Sequence, residues 1–214
     1  MPSPAARTHA RLATPDDGPA CAAIYAPYVA DTSISFELVP PDGAEMGARI
    51  ARTIARTPWV VVEADGVVRA YAYATRHRER PAYDWTVETA VYVDRDFARQ
   101  GLGRIAMRAV LAILRLQGAH LVVAGITLPN EGSVELHLRL GFGRIGGFEA
   151  IGWKRGAWHG VDWFALELEP RSDEPAPLVP LPQLAGTAAL EAALEAALAS
   201  ENAWGQAIEP TSSG

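Results

Sequence analysis

The stretch from Val91 to Arg104 constrains this chain more than any other, because it reads as a β-strand running through a basic, glycine-containing loop into a helix. Val91-Tyr92-Val93 is β-branched and aromatic, Arg95 and Arg99 charge the loop, and Gly101-Leu102-Gly103-Arg104 opens a helical spacing that continues through Ile105, Ala109 and Leu116. The first N–H groups of such a helix lack partners within it and sit at the positive end of its dipole, so the loop is a cradle for phosphate. Gly101 and Gly103 remove Cβ atoms that would keep a pyrophosphate from the backbone, and Arg99 and Arg104 add charge. A plain strand-to-helix turn uses glycine for geometry alone and fits as well. A dinucleotide fold matches formally, since residues 101–106 read G-x-G-x-x-A, but it wants an acid about 20 residues further on and the motif after the first strand. Leu121 to Thr127 offers no such acid, and several strands precede the loop.

Those strands follow from periodicity and turn signals. His9 to Ala13 reads as a strand, Thr14-Pro15-Asp16-Asp17 as a helix start, and the helix after it presents Ala20, Ile24 and Tyr25 to a core. An extended segment through Ile34, Ser35, Phe36 and Glu37 leads to a second helix, 42–56, opened by Pro40-Pro41-Asp42. Trp59 to Glu63 and Val67 to Tyr73 flank Ala64-Asp65-Gly66 as a hairpin, and Trp85 to Asp94 is a longer strand. Leu121 to Ile126 suits a buried parallel strand, Asn130 caps a short helix that Gly141 stops, and strands follow near 143–151 and 162–168. The expected fold is α/β, a mixed sheet with helices on both faces.

The 214 residues, 49% of them hydrophobic, suffice for one sizeable core at residues 8–169. A net charge of −6 gives no sequence-wide attraction for nucleic acid. Cys21 has no disulfide partner and, with no basic neighbour in sequence, no sign of a nucleophile, while His9, His77, His120, His137 and His159 show no metal-ligand spacing, so no metal is expected. No apolar leader opens the chain and nowhere do about 18 apolar residues run together, so we expect a cytoplasmic protein that does not enter the membrane. Five prolines between Pro170 and Pro182 mark a linker, 170–186. Beyond it Leu190, Leu194 and Leu198 make a narrow stripe on an Ala/Leu helix, 187–203, and 204–214 reads as a flexible tail. The plain expectation for this end is loose attachment with no part in chemistry.

Two side chains point to proton chemistry. The two-residue strand period puts Glu88, Ala90 and Tyr92 on one face and Val87, Thr89, Val91 and Val93 on the other. A carboxylate inside an apolar strand is either tied by hydrogen bonds or put to use. His137 follows Ser133 by four residues, so the two share a helix face. Arg76, Arg78 and Arg80, interleaved with His77 and Glu79, make either a solvated basic turn or an oxyanion clamp.

Residues 98–103 fit Q/R-x-x-G-x-G/A, the pyrophosphate loop of GCN5-related acetyltransferases, with Ala98 at its first position. Tyr83-Asp84-Trp85-Thr86-Val87-Glu88, Leu128-Pro129-Asn130, Leu136-His137-Leu138-Arg139-Leu140-Gly141-Phe142 and Gly156-Ala157-Trp158-His159 resemble, in order, segments of phosphinothricin acetyltransferases. The resemblance spans residues 8 to 169. It implies acetyl-CoA as co-substrate, no metal, and direct transfer to the amine of a small amino acid such as phosphinothricin, methionine sulfone or methionine sulfoximine. It also implies Glu88 and His137 as catalytic residues, with Glu88 the partner of His137 or a base acting through water. Cofactor binding would fall to the backbone of Val91, Tyr92 and Val93, to the loop Arg99, Gln100, Gly101, Leu102, Gly103 and Arg104, and to Asn130 and Ser133. Substrate contacts would come from Phe36, Tyr73, Arg78, Arg80 and Tyr83, and the assembly would be a homodimer. Where the family carries an Asp two residues after Trp158, this chain has Gly160, with Asp162 nearby. Two other classes stay open: an acetyltransferase for another amine (aminoglycoside, polyamine or protein N-terminus), and a non-catalytic acyl-CoA-binding module.

Overall fold

The computed structural model describes residues 8–199; residues 200–203 of the expected helix and the tail 204–214 lie outside them. Along the chain run β1 (Thr8–Leu12), α1 (Gly18–Asp31), α2 (Gly43–Ile54), β2 (Trp59–Ala64), β3 (Val67–Arg76), β4 (Thr86–Val93), α3 (Leu102–Gln117), β5 (Leu121–Thr127), α4 (Glu131–Arg139), β6 (Gly143–Lys154), β7 (Ala157–Glu167), α5 (Leu181–Leu184) and α6 (Ala188–Ala196). One seven-stranded sheet takes the order β1-β2-β3-β4-β5-β7-β6. Among the described residues its one parallel pair is β4–β5, which needs the crossover that α3 supplies. The mixed α/β sheet expected from the sequence is the fold observed.

Local chemistry explains the elements. The β2–β3 hairpin closes on Asp65 and Gly66, both at positive φ (51° and 78°), as a tight two-residue hairpin turn requires. Asp42 caps α2 by accepting from the Glu45 N–H at 2.8 Å. The start of α1 differs from expectation. Residues Pro15–Asp17 form a separate 3₁₀ turn and the helix begins at Gly18, where a Cβ would lie 2.3 Å from the Gly43 carbonyl oxygen. The close crossing of α1 over the start of α2 sets that boundary. Ile24 and Tyr25 are buried as expected, whereas Ala20 is half-buried.

The sheet separates two cores. On one face Val60, Val62, Ala72, Val87, Val122 and Phe164 pack against α3, whose Met107, Ile113 and Leu114 are fully buried. On the other, Val61, Trp59 and Tyr71 pack against Ile24, Tyr25, Met46 and Ile50 of α1 and α2. Cys21 sits in this second core, its thiol pushed up to about 12 by burial, which leaves it inert as a nucleophile.

The segment expected as a detached linker lies instead along the domain. The Trp85 indole donates to the Ala176 carbonyl (2.7 Å), the Val179 N–H to the Gln117 carbonyl (2.9 Å) and the Leu181 N–H to the Arg56 carbonyl (3.0 Å). Proline bars a helix or central strand but not an extended strap, and Leu181, Leu190 and Ala197 are buried beside α3. α3 also needs the strap for polar reasons. Gln117, 1% exposed, donates to the carbonyls of Arg56 (2.7 Å) and Val179 (2.6 Å), and Arg108, 3% exposed, donates to the Ala199 carbonyl (2.9 Å). The loose attachment expected from composition is therefore corrected by burial and hydrogen bonding.

Candidate active site

β4 and β5 pair only at Thr86–Leu121, Val87–Val122 and Glu88–Val123, and beyond Glu88 they part. The gap opens a cavity of about 810 Å³ lined by Thr89 to Val93 of β4, Ala124 to Thr127 of β5, the loop from Ala98 to Gly101, and Ser133, Leu136 and His137 of α4. On its other side β4 bonds β3, with Tyr92 opposite Tyr71 and the Asp94 N–H on the Arg69 carbonyl (2.7 Å). Antiparallel alternation then turns the N–H and C=O of Val91 and Val93 toward the gap, and those of Tyr92 away from it. Of the three residues expected to lend backbone, two face the cavity; Tyr92 contributes its ring, set edge-on to Tyr25 (4.7 Å) and Tyr28 (5.3 Å). Tyr28, which the sequence reading passed over, donates its hydroxyl to the Val93 carbonyl at 2.6 Å and closes that end of the strand.

The glycine loop meets the cavity at the head of α3. Its first intrahelical bond is Ile105 N–H to the Gly101 carbonyl (3.1 Å), so the N–H groups of Leu102, Gly103 and Arg104 precede the helical ladder. Arg99 (φ 66°) and Gly101 (φ 84°) are both left-handed, which bends the loop around those donors. Gly103 has a further reason: its Cβ would stand 3.0 Å from Val93 Cγ2, so glycine lets α3 close on β4. Leu102 is buried in the α3 core and does not line the cavity, which leaves its backbone N–H as the group it could offer.

His137 is buried (2% exposed) on the α3 face, edge-on to Phe142 (5.0 Å) and beside Phe164. Its Nδ1 lies 2.8 Å from the Ser133 carbonyl, which can only accept, so Nδ1 carries the proton. Nε2 is left as a buried lone pair with no partner among the described residues. Burial holds the imidazole below its ordinary pKa against the raising effect of the Ser133 bond, so it is neutral. Asn130 caps α4 through the Ser133 N–H at 3.3 Å and borders the cavity.

Glu88 stands on the opposite face. Its neighbour Val87 is in the α3 core, so strand alternation turns Glu88 toward α1 and α2, with a side chain 36% exposed rather than enclosed. The pairing of Glu88 with His137 expected from sequence is not present. Glu88 meets His77 instead, Nδ1 to Oε2 at 3.3 Å, and Ser133 takes the His137 ring. The physical reason is the sheet between them. On the Glu88 face Phe36 packs on Gly152, where a Cβ would fall 2.2 Å from its ring, and Tyr73 stacks on Trp59 at 4.3 Å. Lys154, also unremarked in sequence, reaches back from β6 to the carbonyls of Val29 (2.6 Å) and Ser35 (2.7 Å) and fixes the loop that carries Phe36.

The model of the acetyltransferase (GNAT) family matches residues 24–142, more than half of the chain. The chain belongs to this family. Over 174 residues it is 38% identical to a phosphinothricin N-acetyltransferase of Streptomyces viridochromogenes, covering 81% of this chain and 94% of the relative. It is 32% identical over 161 residues to an L-methionine sulfoximine/L-methionine sulfone acetyltransferase of Pseudomonas aeruginosa, covering 74% and 94%. A solved structure of a putative acetyltransferase from Salmonella typhimurium with its cofactor acetyl-CoA superposes with a TM-score of 0.76 at 30% identity, covering 79% of this chain and 99% of that one.

Two departures from the pattern that the resemblance implied read clearly in three dimensions. Ala98 is exposed and lines the cavity beside Arg99. At Gly160 a Cβ would press on the carbonyl oxygens of Phe148 (2.8 Å) and Glu149 (3.0 Å), so the β6 irregularity itself demands glycine. Asp162 does not replace the missing acid, because its carboxylate is bound by Arg144 at 2.6 and 2.8 Å. Of the basic turn, Arg76 pairs with Asp84, Arg78 folds back on the His77 carbonyl (3.0 Å), and Arg80 and Tyr83 are exposed; none of Arg78, Arg80 and Tyr83 lines the cavity. Among the described residues no cluster of three metal-ligating side chains occurs, and no helix is long and apolar enough to cross a membrane.

Proposed function

We propose that this GNAT enzyme acetylates the α-amine of a small amino acid with acetyl-CoA, with phosphinothricin, methionine sulfone and methionine sulfoximine as its concrete substrates. The parting of β4 and β5 beyond Glu88, beside the Leu102 and Gly103 N–H groups that precede the α3 ladder, is the observation that carries this reading. Acetyl-CoA fits there chemically. The pyrophosphate takes the N–H groups of residues 102–104 with Arg99, Gln100 and Arg104 nearby, and the pantetheine amides take Val91 and Val93, with Asn130 and Ser133 at the facing wall. When bound it supplies an acyl thioester; the proton work belongs to the chain.

An amine is largely protonated near neutral pH and attacks only once its proton is gone, and Glu88, exposed toward the substrate side, accepts it directly or through water. Neutral His137 offers its Nε2 lone pair on the thioester side, where it takes the proton the nitrogen sheds as the C–N bond forms and gives it to the sulfur as the C–S bond breaks. Phe36 and Tyr73 wall the amino-acid side chain, and Arg78, Arg80 and Tyr83 meet its oxyanion. Both reactants are held at one opening in the sheet, so transfer is direct and needs no acyl-enzyme. The enzyme works in the cytoplasm as a homodimer, with residues 8–169 as the catalytic unit and the strap as its brace. Ile145, Phe148, Ile151, Trp153 and Trp158, all more than 45% exposed on the β6–β7 edge, support the dimer.

Release of CoA thiol from acetyl-CoA with each of the three amino acids tests the reading. Turnover with at least one of them is the expected result. Acetyl-CoA binding without turnover of any of the three overturns the substrate class.

A further inference from the structure

A glutamate on an open strand face turns about three side-chain torsions, and a base that must meet one nitrogen loses rate in every other rotamer. Among the described residues the hydrogen-bond partner of Glu88 is His77, Nδ1 to Oε2 at 3.3 Å. A carboxylate only accepts, so Nδ1 carries the proton in this contact whatever the charge of the ring. The imidazole is itself immobilised. Its backbone N–H bonds the Thr86 carbonyl (3.3 Å), and its ring, in a side chain 18% exposed, lies edge-on between Trp163 of β7 (5.9 Å) and Tyr83 (6.2 Å). Trp163 pairs with Gly125 of β5, so His77 spans from the end of β3 to the strands on the far side of the gap.

We propose that His77 is a positioning residue for Glu88. It holds Oε2, fixes the rotamer of the carboxylate, and leaves Oε1 as the oxygen available to the amine. The inference rests on the reading of Glu88 as the base.

Two substitutions separate hydrogen bonding from packing. His77→Phe keeps the aromatic wedge between Tyr83 and Trp163 without a donor. His77→Asn gives up the ring but offers an amide N–H near the position of Nδ1. His77→Phe lowers kcat by about 10- to 100-fold, the worth of a hydrogen bond to a charged group, while KM for acetyl-CoA stays within about 2-fold; His77→Asn recovers to within about 5-fold of wild type. In the Glu88→Gln background His77→Phe costs nothing further, because residues that act as a unit are not additive. Activity that follows the ring, with Phe active and Asn impaired, overturns the inference, and so does an additive loss in the double variant. Glu88→Gln with wild-type kcat has a different meaning: the base assignment itself then fails, and His77 falls with it.

Discussion

The two faces of the sheet treat the groups proposed to handle protons in opposite ways. On the α3 face His137 is buried, neutral and aimed by a backbone carbonyl, with a lone pair that has no partner among the described residues. On the α1–α2 face Glu88 is one-third exposed and meets the His77 ring at 3.3 Å. The contrast matches what each face handles in the proposed reaction. A thioester and its departing sulfur are protected by dryness, whereas a charged amine must arrive from water and give up a proton that finally returns to it. A group on the dry face serves fold and chemistry together; a group on the wet face serves chemistry alone.

That division is open to test, beginning where the effect is greatest. Glu88→Gln lowers kcat by about 10²- to 10⁴-fold, and its thermal midpoint stays at the wild-type value; a large fall in the midpoint would break the comparison on the wet side. His137→Ala loses about 2–4 kcal/mol in urea unfolding, from the cavity it leaves among Phe142 and Phe164, together with a drop in kcat. Unchanged stability there would show that His137 is not part of the dry core. Gly103→Val drives a side chain against Val93 and costs about 1–3 kcal/mol. Because the displaced helix carries the anion donors, KM for acetyl-CoA rises while KM for the amine holds, as steady-state kinetics in both substrates will read.

The smallest effect is a pH dependence. Burial depresses the pKa of His137, so the unfolded chain binds its proton at higher pH than the folded one does. The stability that neutral His137 contributes is complete above its unfolded value, about 6.5, and is lost as pH falls toward the folded one. Wild type should therefore lose more stability than His137→Phe across that window in parallel urea titrations; identical slopes would deny the neutral, desolvated imidazole.

Much of this architecture is written in short-range pattern. The alternation at residues 86–93 yields both the strand and its two faces, and the Asn130 cap and Gly141 stop bracket α4 closely. Gly101 and Gly103 mark the loop, yet Gly103 owes its place to Val93, a contact between helix and strand that no single segment displays. His77 was hidden for a different reason. A histidine among Arg76, Arg78, Glu79 and Arg80 looks like solvated charge, and only the β3–β4 register, Thr75 opposite Glu88, brings it to the carboxylate. The Glu88–His137 pairing failed because sequence likeness carries two residues to one site without saying which side of the sheet each occupies. Proline content hid the strap in the same manner, since it reports on conformation and not on what Leu181 and Leu190 lie against.

The strap has a consequence for the order of events during synthesis. Every described strand precedes it in chain order, so α3 can meet the sheet while Gln117 and Arg108 still await the carbonyls of Val179 and Ala199. On the ribosome the nascent sheet passes through an interval in which one side of its central helix is finished and the other is wet. A translational pause after β7 would lengthen that interval and leave the apolar groove that receives Leu181 and Leu190 open to chaperones.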